Sequence, residues 1–520
     1  MDVLDDDGPV LLADVVTTSA AVGATRARTA KSAAVAQLLR AAAPDEVAPI
    51  TAWLSGAPRQ GKLGAGWRTL SGVDAAPAAE PSLSVAAVEA ALDELAAVTG
   101  AGSTARRARL LGDLFGAATA DEQSFLLRLL GGELRHGALE GVVLDAVAAA
   151  ADAPAAVVRR AFFLSGELPA VAALALTGGV PALEAVRLQV GRPLRPMLAS
   201  PADDLPDALG DGDVVVEQKM DGARIQVHKD GEDVRVWTRS LKEITTRVPE
   251  LVAVVRGLPA RQLVLDGETL ALTDDGRPRP FQETAARFGA DAGELLLRPF
   301  FFDCLHVDGT DLVDQPLAAR HEALARVAPT HRMPGVTRPT PEQAAAFQAE
   351  ALGAGHEGVV VKTLTSPYAA GRRGSAWRKV KPVHTLDLVV IGAEWGYGRR
   401  TGSLSNIHLG ARDPGGGAPV MVGKTFKGMT DELLAWQTRT FPELVTETDG
   451  GTVTMRPELV VEIELDGVQR SPRYPGGVAL RFARVLRYRP DKGPADADTL
   501  DAVRALLPGS SPPDAGLPPG

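Results

Sequence analysis

A chain of 520 residues is too long for one hydrophobic core, so several domains are expected. With 45% hydrophobic and 23% charged residues it has an ordinary globular composition, and its single cysteine, Cys304, excludes an internal disulfide and a Cys-rich zinc module. The net charge of -10 argues against a uniformly basic nucleic-acid-binding surface, yet basic residues gather from Lys219 to Arg247 and from Arg372 to Arg400, which is compatible with a localised phosphate-binding face.

The acidic start, Met1 to Pro9, is not a secretory signal, and no apolar run reaches membrane-spanning length. The expectation is a cytoplasmic protein with no membrane partner. From Val10 to Ala185 the pattern is rich in Ala and Leu at helical spacing. Ser84 to Thr99, Asp121 to Leu130 and Leu139 to Ala151 are predicted helices, with Ser84 and Asp121 as caps. Residues 1–190 are therefore expected to form an all-α domain. Gly191-Arg192-Pro193-Leu194-Arg195-Pro196 cannot sit inside a helix and marks a boundary.

Residues 191–382 read as an α+β core. Predicted strands lie at Val214–Val216, Ile225–Val227, Val234–Val236, Leu263–Leu265, Phe300–Phe302 and Gly358–Val361, and predicted helices at Gln315–Val327 and Pro341–Leu352. Residues 383–507 are strand-dominated and fit a small β-barrel. Strands are expected at Leu388–Gly392, Asn406–Gly410, Val420–Val422, Leu459–Leu465 and Leu480–Tyr488, with one helix at Asp431–Phe441. Residues 508–520 are Pro/Gly/Ser-rich and are expected to be a disordered tail.

The segment Glu217-Gln218-Lys219-Met220-Asp221-Gly222-Ala223-Arg224 carries the most chemistry. A strand delivers Lys219 to a glycine-containing turn. A lysine amine attacks phosphorus only when neutral, which from an ordinary pKa near 10.4 needs a shift of about three units, or roughly 4 kcal/mol. Burial and neighbouring cations supply such shifts. Taken alone, Lys-x-Asp-Gly is equally a strand and turn with a solvated lysine. Further segments agree with the chemical reading. Asp266-Gly267-Glu268 ends an apolar run, Phe300-Phe301-Phe302-Asp303 is a buried strand ending in an acid, and Glu357-Gly358-Val359-Val360-Val361-Lys362 places an acid before a strand and a base after it. Trp377-Arg378-Lys379-Val380-Lys381 sets two lysines on one strand face, and Arg481 to Lys492 is arginine-rich.

In this order the segments resemble the nucleotidyltransferase signature of the covalent AMP/GMP-lysine superfamily, and the whole chain resembles an ATP-dependent DNA ligase. Arg195-Pro196-Met197-Leu198-Ala199 resembles the opening of that family's catalytic domain, and Gly132 to Gly137 a segment of its helical DNA-binding domain. The resemblance implies a helical DNA-binding domain, a nucleotidyltransferase (ATP-grasp-like) α+β core and a C-terminal OB-fold barrel. It implies ATP as substrate, Mg²⁺ as cofactor and a monomer acting on nicked double-stranded DNA. Lys219 would carry AMP. Glu217 would read the adenine amino group, Arg224 and Glu268 would hold the ribose or nearby groups, and Phe302 or its neighbour Phe301 would stack on the base. Glu357 and Glu268 would hold the metal, and Arg239 a phosphate. Arg373, Lys379 and Lys381 would neutralise the triphosphate, Arg484 to Lys492 would orient pyrophosphate, and Arg135 would contact DNA; His136 beside it reads as a surface histidine at least as readily as a phosphate contact.

Three alternatives carry different signals. RNA ligases and capping enzymes share the covalent lysine, and the helical first third separates this chain from them. NAD-dependent ligases use a four-cysteine zinc module that one cysteine cannot build. A non-catalytic relative would have a broken motif position, and none is visible here. Cys304 reads as core, and His306 and His408 as structural. Two further loops, Trp395 to Arg400 and Gly423 to Gly428, are balanced between DNA contact and exposed turns.

Overall fold

The computed structural model describes residues 8–61, 63–134, 140–288, 295–369, 371, 373–397 and 400–507, with Trp67, Arg68 and Arg373 described by backbone only. Arg135 and His136 lie outside the described residues, as does the tail from residue 508.

Between Leu12 and Glu184 the described residues form helices and contribute no strand to any sheet. Trp53, Phe125 and Phe162 anchor their shared core, together with Val and Leu residues at helical spacing. Burying each large apolar side chain contributes about 1.5–3 kcal/mol, so packing rather than propensity holds these short helices. Ser84 caps the helix Val85–Ala97 as expected, accepting from the Ala87 amide. The cap of Ala120–Leu130 is Thr119, not Asp121: Thr119 and Glu122 form a reciprocal capping box, and Asp121 falls in the first turn.

Two sheets form the central unit. The first runs β1 (Leu198–Pro201), β10 (Arg373–Val380), β9 (Gly358–Thr363), β2 (Val214–Lys219), β8 (Gly335–Thr337). The second runs β4 (Asp233–Thr238), β3 (Ala223–Asp230), β5 (Gln262–Ala271), β6 (Leu297–Val307), β7 (Thr310–Asp311). Every predicted strand of this region is present. Each sheet buries one face under helices. Val214, Val216, Val359 and Val361 of the first pack on Ala344 and Ala351. Ile225, Val227, Leu263, Leu265 and Phe301 of the second pack on Leu251, Val255 and Leu324. Other faces meet in a third cluster, where Met220, Val264 and Phe302 join Tyr368 and Trp377.

The C-terminal unit is an OB-fold sheet that stays open. Its order is β13 (Val420–Thr425), β12 (Leu404–Ala411), β11 (His384–Trp395), β15 (Thr452–Leu465), β14 (Val445–Asp449), and β18 (Arg484–Tyr488) also pairs with β15. The expected closed barrel is corrected here: β16 (Gly467–Arg470) and β17 (Val478–Arg481) pair only with each other, leaving the sheet unclosed. The run Leu480–Tyr488, expected as one strand, is cut in two because Phe482 takes φ 56°, a left-handed conformation that breaks a ladder. No helix among the described residues is long and apolar enough to cross a membrane.

Candidate active site

Side chains alternate along a strand, and this period sorts chemistry from packing in the first sheet. On β2 the valines at 214 and 216 enter the helix-covered core, so Glu217 and Lys219 share the opposite face. The register places Glu217 against Val360, Lys219 against Gly358, and Trp377 of β10 against Lys362 of β9. Glu217, Lys219, Lys362, Trp377 and Lys379 therefore line one wall. The second sheet supplies the facing wall, with Arg224 paired to Glu268 and Gln226 to Asp266 in the β3–β5 register. Two glycines permit the close approaches. A Cβ at Gly222 would lie 2.6 Å from the Thr269 carbonyl and 2.9 Å from Glu268 Cγ. Gly358 takes φ 141°, and a Cβ there would lie 2.2 Å from the Val380 carbonyl.

Lys219 ends β2 with its ammonium against the Glu357 carboxylate, and about 21% of its side chain remains exposed. Glu357 is fixed by its own amide, which donates to the Lys219 carbonyl at 2.9 Å. Burial pulls the lysine from 10.5 down to about 8; Glu268 and Asp221 oppose that shift, while Lys381 and Lys379 reinforce it. Burial pushes Glu268 up to about 7, outweighing Arg224 and Lys219. Both acids predicted to hold metal thus act on Lys219, Glu357 in contact and Glu268 through its charge. Magnesium takes one or two carboxylates and completes its shell with water and substrate phosphates, so this donor set fits. Among the described residues no group of three or more metal-ligating side chains is assembled.

Farther into the cleft, Glu217 is buried at 4% exposure, with Lys362 Nζ 2.5 Å from Oε2 and His321 Nε2 3.4 Å from Oε1. Lys362 Nζ also lies 4.2 Å from the Phe302 ring centre and 4.3 Å from that of Trp377. Phe302 is the phenylalanine that joins this cluster, whereas Phe301 is fully buried in the opposite core. Arg224 is tied down. It donates to both carboxylate oxygens of Asp266, at 3.0 and 2.6 Å, and to the Met197 carbonyl at 2.6 Å. Tyr368 in turn donates to Asp266 at 2.6 Å. Arg224 therefore frames the pocket from a buried ion pair.

The remaining expected residues are placed unequally. Arg239, exposed at the end of β4, borders a small crevice with Arg224, Thr238 and Asp266. Arg373 lies on β10, with its side chain outside the description. Lys379 and Lys381 are near enough to depress the Lys219 amine. Arg489 and Lys492 are not at this site, since both pair with Asp387 in the C-terminal sheet. That unit instead presents two residues the sequence reading did not single out. Arg481 donates to both carboxylate oxygens of Asp221, at 2.7 and 3.2 Å, and Asp466 contacts Lys381. Lys362, His321, Asp266, Tyr368 and Trp377 also lacked assigned roles. Asp266, Lys362 and Trp377 stood inside quoted motifs, so strand alternation was the available signal for all three.

Known proteins agree with this geometry. Three family profiles match the chain in order: "DNA ligase N terminus" over residues 68–148, "ATP dependent DNA ligase domain" over 196–381 and "ATP dependent DNA ligase C terminal region" over 400–492. A "Probable DNA ligase" of Rhodococcus jostii (strain RHA1) is 64% identical over 504 residues, spanning 96% of this chain and 100% of that protein. Another "Probable DNA ligase", from Saccharopolyspora erythraea, is 65% identical over 499 residues, spanning 96% of this chain and 98% of its own length. Among solved structures, one titled "Pmar-Lig_PreS3" shares the fold, with a TM-score of 0.58 and 17% identity over 91% of this chain and 99% of that one. A buried lysine beside a carboxylate, set in a chain whose three segments match in order and whose relatives are 64% identical over nearly its full length, has one consistent account: the chain belongs to the ATP-dependent DNA ligase family.

Proposed function

We propose that ATP-dependent nick sealing by this ligase runs through Lys219, with the surrounding side chains dividing the work. The observation that carries the proposal is the buried amine of Lys219, drawn down to about 8 between Glu357 and Glu268. An amine so held is substantially neutral near pH 8 and can attack. Its nitrogen bonds to the α-phosphorus of ATP, the bond to the β-phosphate oxygen breaks, pyrophosphate leaves, and the amine gives up a proton. AMP then passes to the 5′-phosphate at the nick. The 3′-hydroxyl next attacks that phosphate, AMP leaves, and a phosphodiester bond remains.

The protein's task at each step is alignment and charge neutralisation. Glu217 is the acceptor for the adenine amino group, and Phe302 with Trp377 forms the aromatic wall beside it. Arg224, locked to Asp266, frames the ribose region together with Glu268. Lys379 and Lys381 would neutralise the phosphates from β10 and its end, a role the family resemblance also gives to Arg373, and Arg239 would take a phosphate at the rim. Glu268 and Glu357 would hold Mg²⁺, which when bound neutralises phosphate charge. The helical first third supplies a duplex-gripping surface, and the enzyme acts as a cytoplasmic monomer on nicked double-stranded DNA.

The test is direct. The protein is incubated with α-labelled ATP and magnesium, denatured, and examined for bound label. The wild-type chain should carry acid-labile AMP and seal a singly nicked duplex, and Lys219→Ala should do neither. Label retained on Lys219→Ala would mean another nucleophile.

A further inference from the structure

Two buried side chains without a role so far converge on Glu217. Lys362 has 3% of its side chain exposed and brings an ammonium to Oε2, while His321, 9% exposed on the helix Leu317–Val327, brings its ring to Oε1. Burial holds His321 below the ordinary imidazole value, so the ring is neutral near pH 7. Its Nε2 faces two acceptors, Glu217 and the Phe302 carbonyl at 3.1 Å, so the ring proton sits on Nε2. The neighbouring Arg320 anchors this helix. Fully buried, it donates to both oxygens of Asp303, at 2.7 and 3.1 Å, next to Phe302.

We infer that Lys362 and His321 are positioning residues that set the nucleobase preference, by holding Glu217 as an acceptor-only carboxylate in one orientation. A carboxylate offers about four lone-pair directions. The Lys362 ammonium lies against one oxygen, and the His321 N–H, hydrogen-bonded to the Phe302 carbonyl, lies 3.4 Å from the other, so the lone pairs left over can only accept. A 6-amino purine brings a donor to them. A 6-oxo purine brings oxygen lone pairs and is repelled. A buried ammonium is costly unless paired, and here the carboxylate and the two aromatic rings supply the pairing.

This inference rests on the reading of Glu217 as the group facing the base, and the test separates the two. Lysyl-nucleotide formation by the full chain is followed by mass spectrometry with ATP and with ITP as alternative substrates. Lys362→Met should reduce the preference for ATP by about tenfold or more, the range of one discriminating hydrogen bond, while Lys362→Arg should retain it. His321→Leu should relax the preference in the same direction. His321→Gln, which restores an N–H near Nε2, should keep it. A folded Lys362→Met protein with the wild-type preference would overturn the inference, as would a folded His321→Leu protein with that preference if Lys362→Met fails to fold. Glu217→Gln distinguishes the underlying reading. If it keeps the wild-type preference, Glu217 does not face the base. If it loses the preference while Lys362→Met and His321→Leu keep it, only the inference falls.

Discussion

At the scale of single residues, the proposed mechanism depends on taking one proton off one amine. Lys219 sits near about 8 because burial outweighs the attraction of Glu268. At pH 7.5 that leaves roughly a quarter of the molecules with a neutral nucleophile, against about one in a thousand for an unperturbed lysine. The neutral form reacts, so the single-turnover rate of self-adenylylation should climb about tenfold per pH unit below 8 and level off above it. Lys381 depresses the amine, so Lys381→Met should move that inflection upward. A flat profile from pH 6 to 9 would show that lysine deprotonation does not control the step. Which of the two phenylalanines faces the cleft is also decided at this scale. Phe301 and Phe302 are chemically identical, and only alternation on β6 sends Phe301 to the helix-covered core and Phe302 to the cleft.

At the scale of elements, the site depends on two sheets approaching more closely than ordinary side chains permit. The turn after β2 runs past β5 at Gly222, where even a methyl group would press on the Thr269 carbonyl backbone. Backbone cannot rotate aside as a flexible side chain does, so Gly222→Ala should displace the Lys219 turn from Glu268. The expected outcome is a loss of about 1–3 kcal/mol of stability, read by thermal or urea unfolding, with adenylylation falling at least tenfold. Wild-type adenylylation in that variant would show that the turn has slack. The strands themselves were legible, because valine-rich runs between glycine and aspartate turns have few other outcomes. Their partners were not legible. Nothing local says that β2 lies between β9 and β8, a pairing that joins residues more than a hundred positions apart.

At the scale of the whole molecule, the C-terminal unit is fastened to the nucleotidyltransferase core beside the nucleophile. The two-oxygen contact of Arg481 with Asp221 and the contact of Lys381 with Asp466 span that boundary. Each group is partly exposed, so the contacts should weaken as salt screens them. The double variant Arg481→Ala, Asp466→Asn should expand the protein, read as a larger radius of gyration in small-angle X-ray scattering, and high salt should move the wild type the same way. An unchanged radius in both would show that other contacts hold the units together. Arg489 and Lys492, meanwhile, are engaged with Asp387 inside their own sheet.

From its residues alone, this protein had a candidate lysine with acids and bases in motif order, its helical first third and its family, because short motifs and hydrophobic period are local properties of the chain. The tertiary structure decided what depends on partners distant in sequence: that Arg224 is held by Asp266 and Tyr368, that Lys362 and His321 grip Glu217, and that Arg481 rather than Arg489 stands at the site. It also decided that the last sheet stays open, since closure depends on which edges meet. Charge pairing and burial exist only once strands from remote segments are laid side by side, and they convert a list of ionisable residues into a pocket in which one lysine is poised to react.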